Sequence, residues 1–507
     1  MSSQATSAST PAQSAGARSA TGIPGLDDIL HGGFIPHRLY LIDGDPGAGK
    51  TTFGLQYLLE GAKRGEKCLY VTLSETRDEL GAVALSHGWS LEKLQIVELV
   101  ASEKDLSSDT QLTMYHPSEV ELNETTRRVL DAVEKSNATR IVFDSLSELR
   151  LLAQSSLRYR RQILALKQFF SGRKCTVMML DDRTAEGKDN QLYSIAHGVV
   201  TLEQLAPIYG AERRRLRVMK LRGSSYRGGY HDFAIATGGI TVFPRLVAAD
   251  HGSRFQPSQI QSGVTALDKL LGAGPDRGTS TLLMGPAGSG KSTIAVQYAS
   301  AAATRGEHAV IFAFDESPAT LITRCQALGI QFELGKGPGQ IDLVPIDPAE
   351  VSPGEFVHLV RRAVEVDKAR IIIIDSLNGY INAMPEEQFL VVQLHELLTY
   401  LGRQGITTFM VVAQHGLLGT NMNTPIDTSY LADTVVLLRF FENAGTVRKA
   451  ISVVKKRSGP HEDTIRELYF DHQGVHLSEP LARFRGILSG TPVEVNQNPG
   501  PHSVEKS

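Results

Sequence analysis

The chain has 507 residues, 41% hydrophobic and 21% charged, with 52 lysines and arginines against 55 aspartates and glutamates, a formal net charge of −3. That length exceeds what one hydrophobic core supports and predicts two or more domains. The near-balance of charge argues against a nucleic-acid binder, which favours a strongly basic surface, and no stretch approaches the ~18 to 20 apolar residues of a membrane helix.

Residues 1–20 are Ser, Ala, Thr and Gln without an apolar h-region, so they read as a disordered tail and not as a secretory signal. A first domain is expected over 21–247, opening with TGIPGLDDIL. Leu39 to Asp43 is a short apolar strand that runs into Gly44, Asp45, Pro46, Gly47, Ala48, Gly49, Lys50, Thr51 and Thr52. Thr51 to Lys63 then reads as a helix, stopped by Lys63, Arg64 and Gly65, with basic residues at the negative end of the dipole and a glycine for a left-handed cap. Cys68 to Leu73 is a strand leading to Ser74 and Glu75. Arg140 to Phe143 is a strand delivering Asp144, and Thr176 to Leu180 is another. Late in the domain, Lys220 and Arg222 alternate with Leu221, which places both cations on one face of a strand. The stretch 248–261, AADHGSRFQPSQIQ, is polar and aperiodic and reads as a linker.

After it the chain repeats itself. SGVTALDKLL from Ser262 matches TGIPGLDDIL from Thr21, and Gly22 to Gly263, Lys50 to Lys291 and Glu75 to Glu316 keep one constant offset. A second domain of the same kind is expected over 262–488, with strands at Thr281 to Met284, Ala309 to Phe314, Ile371 to Ile374 and Thr408 to Val412. It carries Gly285, Pro286, Ala287, Gly288, Ser289, Gly290, Lys291, Ser292 and Thr293, then Asp315 and Glu316, Asp375, Gln414, and Lys455 with Arg457. Residues 489–507 read as a second tail. Cys68, Cys175 and Cys325 are widely spaced and fit no metal-ligand pattern; they read as buried thiols of a reducing cytoplasm. Strands of β-branched residues alternating with helices predict an α/β fold, two tandem domains each with a mostly parallel sheet covered on both faces.

The chemistry sits at the strand ends, where such sheets bind ligands. Both copies fill G-x-x-x-x-G-K-[ST], after a strand and before a helix. In that pattern the glycines curl backbone N–H groups around phosphate oxygens, Lys50 and Lys291 reach the β- and γ-phosphates, and the Thr51 and Ser292 hydroxyls ligate Mg²⁺. Asp144 and Asp375 end the strands expected to hold the hydrated metal. Glu75 and, in the second copy, Asp315 or Glu316 are the candidates to polarise the attacking group. In RecA-class NTPases a carboxylate there lies beside the γ-phosphate, and its strand is expected next to the strand that leads into the phosphate loop. The alternative for these acids is a stabilising charge at a helix N-terminus. The repeated cation pairs suggest an anion contact, against the alternative of a solvated basic edge. Gln414 reads either as a γ-phosphate sensor or as a satisfied strand-end amide.

On these residues, with FDSL and IDSL after the two aspartates, ERRRLRVMKLRGSSYRGGYHDF and the late ILSGTP, the chain resembles the KaiC family over about Thr21 to Pro492. The resemblance implies tandem RecA-like ATPase domains in a hexameric ring, ATP at the subunit interfaces, and Lys220, Arg222, Lys455 and Arg457 reaching the neighbour's ATP. It also implies slow ATP hydrolysis in the first copy and Ser/Thr autophosphorylation in the second. The acceptor pair falls on Ser429 and Tyr430, so a two-site cycle is not expected; Thr428 is the fallback acceptor. The family's paired glutamates become Ser74 and Glu75, and Asp315 and Glu316. The end after Pro492 offers little apolar surface for the activating partner that docks there in the family. A signalling or clock-like ATPase switch with protein partners is the expectation; the alternatives are a RecA-like DNA-dependent ATPase and a nucleotide-held scaffold with little turnover.

Overall fold

The structure, a computed structural model, describes residues 18–99, 117–183, 190–207, 209–382, 389–414, 429–488 and 493–494. The chain divides into two compact units, Met1–Arg245 and Leu246–Ser507.

The first unit is built on a nine-stranded sheet: β1 (Leu39–Gly44), β2 (Cys68–Thr72), β3 (Gln95–Glu98), β4 (Arg140–Asp144), β5 (Thr176–Asp182), β6 (Gly198–Leu205), β7 (Arg213–Leu221), β8 (Tyr230–Ala236) and β9 (Gly239–Phe243). The order is β3-β2-β4-β5-β1-β6-β7-β8-β9. Pairing is parallel from β3 to β6 and antiparallel from β6 to β9. Alternate residues feed two apolar layers, Ile42, Tyr70, Val142 and Met178 into one and Leu41, Val71, Ile141 and Val177 into the other. Both faces are therefore covered, which is why these strands carry no polar alternation.

The second unit repeats the plan with β10 (Ser280–Gly285), β11 (Ala309–Ala313), β12 (Glu333–Leu334), β13 (Gln340–Pro345), β14 (Ile371–Asp375), β15 (Thr407–Ala413), β16 (Thr434–Asn443), β17 (Thr446–Lys456), β18 (Arg466–Asp471) and β19 (Gly474–Pro480). Their order is β12-β13-β11-β14-β15-β10-β16-β17-β18-β19. Ile371 to Ile374 are all fully buried, each side chain contributing about 1.5–3 kcal/mol. The helix Pro353–Glu365 shows how local sequence builds the layers. Ser352 caps it by accepting from Glu355 N at 3.2 Å, proline opens it, and Phe356, Val357, Val360 and Val364 form its buried stripe. The entry to each unit is also duplicated: Thr21 N donates to Asp27 Oδ1 at 3.0 Å, and Ser262 N to Asp268 Oδ1 at 2.8 Å.

One expectation is corrected by the sheet order. β2 does not neighbour β1, because β4 and β5 lie between them. The crossover through the helix Lys50–Lys63 skips two positions that the later strands fill. Leu73 N instead donates to Asp144 O at 2.7 Å, so the chain beyond β2 runs along the end of β4. The stretch read as a linker packs within the second unit: Ala248 N donates to Glu396 Oε2 at 3.0 Å, Arg403 Nη1 donates to Ala248 O at 2.9 Å, and Ile260 is buried. Ser19 and Ala20, at the end of the expected first tail, are buried, and Ser19 pairs with Phe34. At the other end Val493–Glu494 pairs with Phe484–Arg485. All three cysteines are buried and free, and among the described residues no helix is long and apolar enough to cross a membrane.

His231, on β8, gives the first unit a pH dependence. Its Nδ1 accepts from Arg245 N at 2.9 Å and its Nε2 donates to Arg227 O at 3.0 Å, which holds the ring neutral. Burial first, and the Arg245 and Arg227 charges after it, push its pKa down from 6.5 to about 4. Between those values the unfolded chain binds the proton and the folded one does not. Stability is therefore present above pH 6.5 and falls toward pH 4, by up to about 1.4 kcal/mol per pH unit from this group. Urea midpoints at pH 7 and 5.5 should show a smaller acid loss for His231→Gln than for the parent; equal losses would count against the assignment.

Candidate functional sites

At the end of β1 the chain turns through Asp45 to Ala48, whose N–H donates back to Asp45 O at 3.1 Å. Gly49 then caps the helix Lys50–Lys63 at φ 94°. The left-handed φ is what favours glycine there; a Cβ would also meet Ile235 Cδ1 at 2.5 Å, which the end of that side chain can yield. Gly290 does the same at φ 105°, against the ring of Phe470. Each loop thus aims the first N–H groups of a helix at one point, an anion site by geometry and dipole.

Lys50 curls back over its loop. Its Nζ donates to Gly44 O at 3.0 Å and Asp45 O at 2.9 Å, and lies 2.7 Å from Asp182 Oδ1. Thr51 Oγ1 donates to Asp144 Oδ2 at 3.3 Å, and Tyr70 OH donates to the same oxygen at 2.5 Å. Burial raises the Asp144 pKa, opposed by those two hydrogen bonds. Glu75 is anchored through its backbone, its N–H donating to Thr72 Oγ1 at 2.9 Å. Its Oε2 is buried with no hydrogen-bond partner. Burial first, then the Asp144 charge, push its pKa up to about 7. Beside the P-loop, Thr52 Oγ1 meets His87 Nε2 at 3.4 Å.

The second unit keeps the loop and changes its surroundings. Lys291 Nζ donates to Pro286 O at 2.7 Å, and burial pushes its pKa down to about 8 against the pull of Asp375. Ser292 hydrogen-bonds the Asp375 carboxyl, opposing the rise that burial imposes on it. The two adjacent acids point apart. Ser376 Oγ donates to Asp315 Oδ2, while Glu316 Oε2 lies 2.9 Å from Arg324 Nη2 and within electrostatic reach of Asp375. Of the two, Glu316 is the acid whose charge bears on Asp375, while Asp315 is engaged by the neighbouring Ser376. Gln414 N donates to Gly285 O at 3.0 Å, and its Oε1 is buried without a partner.

The paired cations lie elsewhere. Lys220 Nζ donates to Tyr193 O, and Arg222 Nη2 donates to Ser194 O at 3.1 Å. Lys455 Nζ donates to Ser429 O at 2.8 Å and Ala432 O at 2.7 Å, and Arg457 Nη2 donates to Tyr430 O at 2.9 Å. In both copies the pair clasps carbonyls of the segment before the next strand. Ser429 lies in that segment; Thr428 falls outside the described residues. Sequence reasoning missed Tyr70, Asp182, His87 and Arg324. Of these only Asp182, as a strand-end acid, left a signal that could have been followed.

Phosphate loop, strand-end aspartate and sheet order together define each unit as a RecA-like P-loop ATPase domain. A family model described as the KaiC ATPase matches residues 19–247 and again residues 260–482. The chain belongs to that family. It is 28% identical to circadian clock protein KaiC3 of Synechocystis sp. over 94% of this chain and 95% of that protein. It is likewise 28% identical to the circadian clock oscillator protein KaiC of Synechococcus elongatus, over 94% of this chain and 92% of the relative.

Each loop is expected to hold one nucleotide. Calorimetric titration of the full chain should give two ATP equivalents, falling to one for Lys50→Ala or Lys291→Ala and to none for the double variant. An unchanged stoichiometry in either single variant would remove that loop from the site.

Proposed function

We propose that both units hydrolyse or transfer the γ-phosphate of ATP with Mg²⁺, and that the chain works as an ATP-driven switch in a homo-hexameric ring. The observation that carries this is Glu75: a carboxylate without a side-chain partner on Oε2, tuned by burial to about pH 7, beside Thr51 and Asp144. A base of that strength takes a proton from water as the water attacks phosphorus, and is close to optimal at neutral pH. The donor set fits a hard divalent cation, with a hydroxyl and a carboxylate oxygen side by side. Mg²⁺ would be held by Thr51 and Asp144 in the first unit and by Ser292 and Asp375 in the second, and would neutralise phosphate charge.

In the second unit the transfer is directed to Ser429 or Thr428, with Glu316 as the base and Asp315 in support through Ser376. The association into rings is supported by the surfaces. Exposed Met219 and Val454 sit beside the cation pairs at matching places in the two copies, and Leu157, Phe389 and Val392 are exposed where the matching helices begin. Lys220, Arg222, Lys455 and Arg457 then serve the nucleotide of the adjacent subunit, in line with the family resemblance. Relatives named as clock proteins make a timing or signalling role the natural extension, with protein partners to match.

With the second unit silenced by Lys291→Ala, Glu75→Gln should lower ADP release by about 10²-fold and leave ATP binding intact; undiminished release would retire Glu75 as the base. Tyr70→Phe, which removes the hydroxyl that fixes the orientation of the Asp144 carboxylate, should raise the Mg²⁺ concentration needed for half-maximal turnover by roughly tenfold. For the autokinase, the full chain is incubated with Mg-ATP and its phosphopeptides are mapped. Phosphate on Ser429 or Thr428, lost in Asp315→Asn/Glu316→Gln, is the expected result, whereas ADP without phosphopeptide leaves an ATPase switch.

A further inference from the structure

Arg324 has no counterpart in the first unit. The constant offset of the repeat puts Val83 at its place, and Val83 is a partly buried packing residue. Arg324 lies in the last turn of the helix Pro318–Ala327, which Ser317 caps by accepting from Thr320 N at 3.2 Å. The helix carries it to the wall of a cavity of about 280 Å³, shared with Lys291, Ser292, Thr293 and Lys449. The guanidinium is not satisfied there. Its Nε and Nη2 are buried without a hydrogen-bond partner. The 2.9 Å approach of Nη2 to Glu316 Oε2 is an attraction of charges without hydrogen-bond alignment. Its charge also bears on Asp375.

Buried guanidinium donors left unmatched are costly, and they favour a planar or tetrahedral oxyanion that offers several acceptors at once. The cavity opens on the phosphate loop, so the anion at hand is the nucleotide's own phosphate chain. Glu316 and the terminal phosphate compete for the same cation.

We propose that Arg324 reads the terminal phosphate of the nucleotide in the second unit, holding Glu316 in a charge pair until that phosphate takes its place. The inference rests on the reading of the second unit as an ATP site. Arg324 is a positioning residue for Glu316 and a discriminator between ATP and ADP. The first unit, with Val83, lacks the device, and its Glu75 has no such cation to release it.

The experiment uses the full chain carrying Lys50→Ala, so that only the second unit binds, and measures Kd for Mg-ATP and Mg-ADP by calorimetry. Arg324→Val should weaken ATP by about tenfold or more, the scale of a charge-assisted hydrogen bond, while ADP shifts less than about threefold. Arg324→Lys, which restores a cation without the guanidinium fork, should recover part of the ATP preference. Equal weakening of both nucleotides, or no change in either, overturns the assignment of Arg324 and leaves the ATP site standing. Binding of neither nucleotide while Arg324 is intact overturns the proposal together with the reading beneath it.

Discussion

Each site is organised around a buried lysine that must be neutralised before any nucleotide arrives. An ammonium group removed from water needs carbonyls or carboxylates around it. Lys50 is satisfied by two carbonyls of its own loop and by Asp182. Lys291 has the carbonyl of Pro286, and the residue in register with Asp182 is Ala413, since Gly44 pairs with Asp182 and Gly285 with Ala413. The balance of charge around the two lysines differs accordingly. In the first unit one cation stands among Asp144, Asp182 and Glu75. In the second, Lys291 and Arg324 face Asp375 and Glu316.

That difference gives the two glutamates different neighbours. Burial first, and the negative charge of Asp144 after it, raise Glu75 to about 7, the range in which a carboxylate both holds and gives up a proton at neutral pH. Glu316 sits beside Arg324, which supplies the positive charge that Glu75 lacks. The duplication has kept the loop, the hydroxyl and the strand-end aspartate, which bind. It has changed Tyr70 to Ile311, Val83 to Arg324 and Asp182 to Ala413, which tune. Two sites with one binding apparatus and different acid–base surroundings are suited to different fates for the same γ-phosphate.

What was legible in the sequence follows from locality. The phosphate loop is contiguous, and its glycines, lysine and hydroxyl act through backbone geometry fixed within nine residues, so their roles could be written down before any fold was known. Asp144 and Asp375 were legible because an apolar run ending in an acid marks a strand end. The partners of these groups were not. Tyr70 reaches Asp144 because β2 lies beside β4, and Asp182 reaches Lys50 because β5 lies beside β1. Adjacency of strands is set by crossover connections that one sequence does not specify. The same gap led to β2 being expected beside β1. Asp315 and Glu316 lie just beyond β11, so strand alternation does not tell which of them turns toward the site. Only the contacts with Ser376 and Arg324 distinguish them.

The cation pairs carry the last step. Lys220 and Arg222, like Lys455 and Arg457, now bond to main-chain carbonyls, and such bonds are weaker than those a phosphate would make with the same donors. They are partners a cation can exchange for phosphate with a net gain. Their repetition on equivalent strands is accompanied in each copy by an exposed apolar neighbour in sequence, Met219 and Val454. An isolated subunit gains nothing from that arrangement. In the proposed ring a packed subunit would bury the apolar residues and offer the cations to a neighbour's phosphate chain, so that nucleotide and assembly would stabilise each other. The carbonyls released in that exchange include those of Ser429 and Tyr430. The segment that bears the candidate phosphoacceptor is therefore held by the same cations that the proposed ring would present to ATP, and in that ring the freedom of the acceptor would depend on occupancy of the adjoining site.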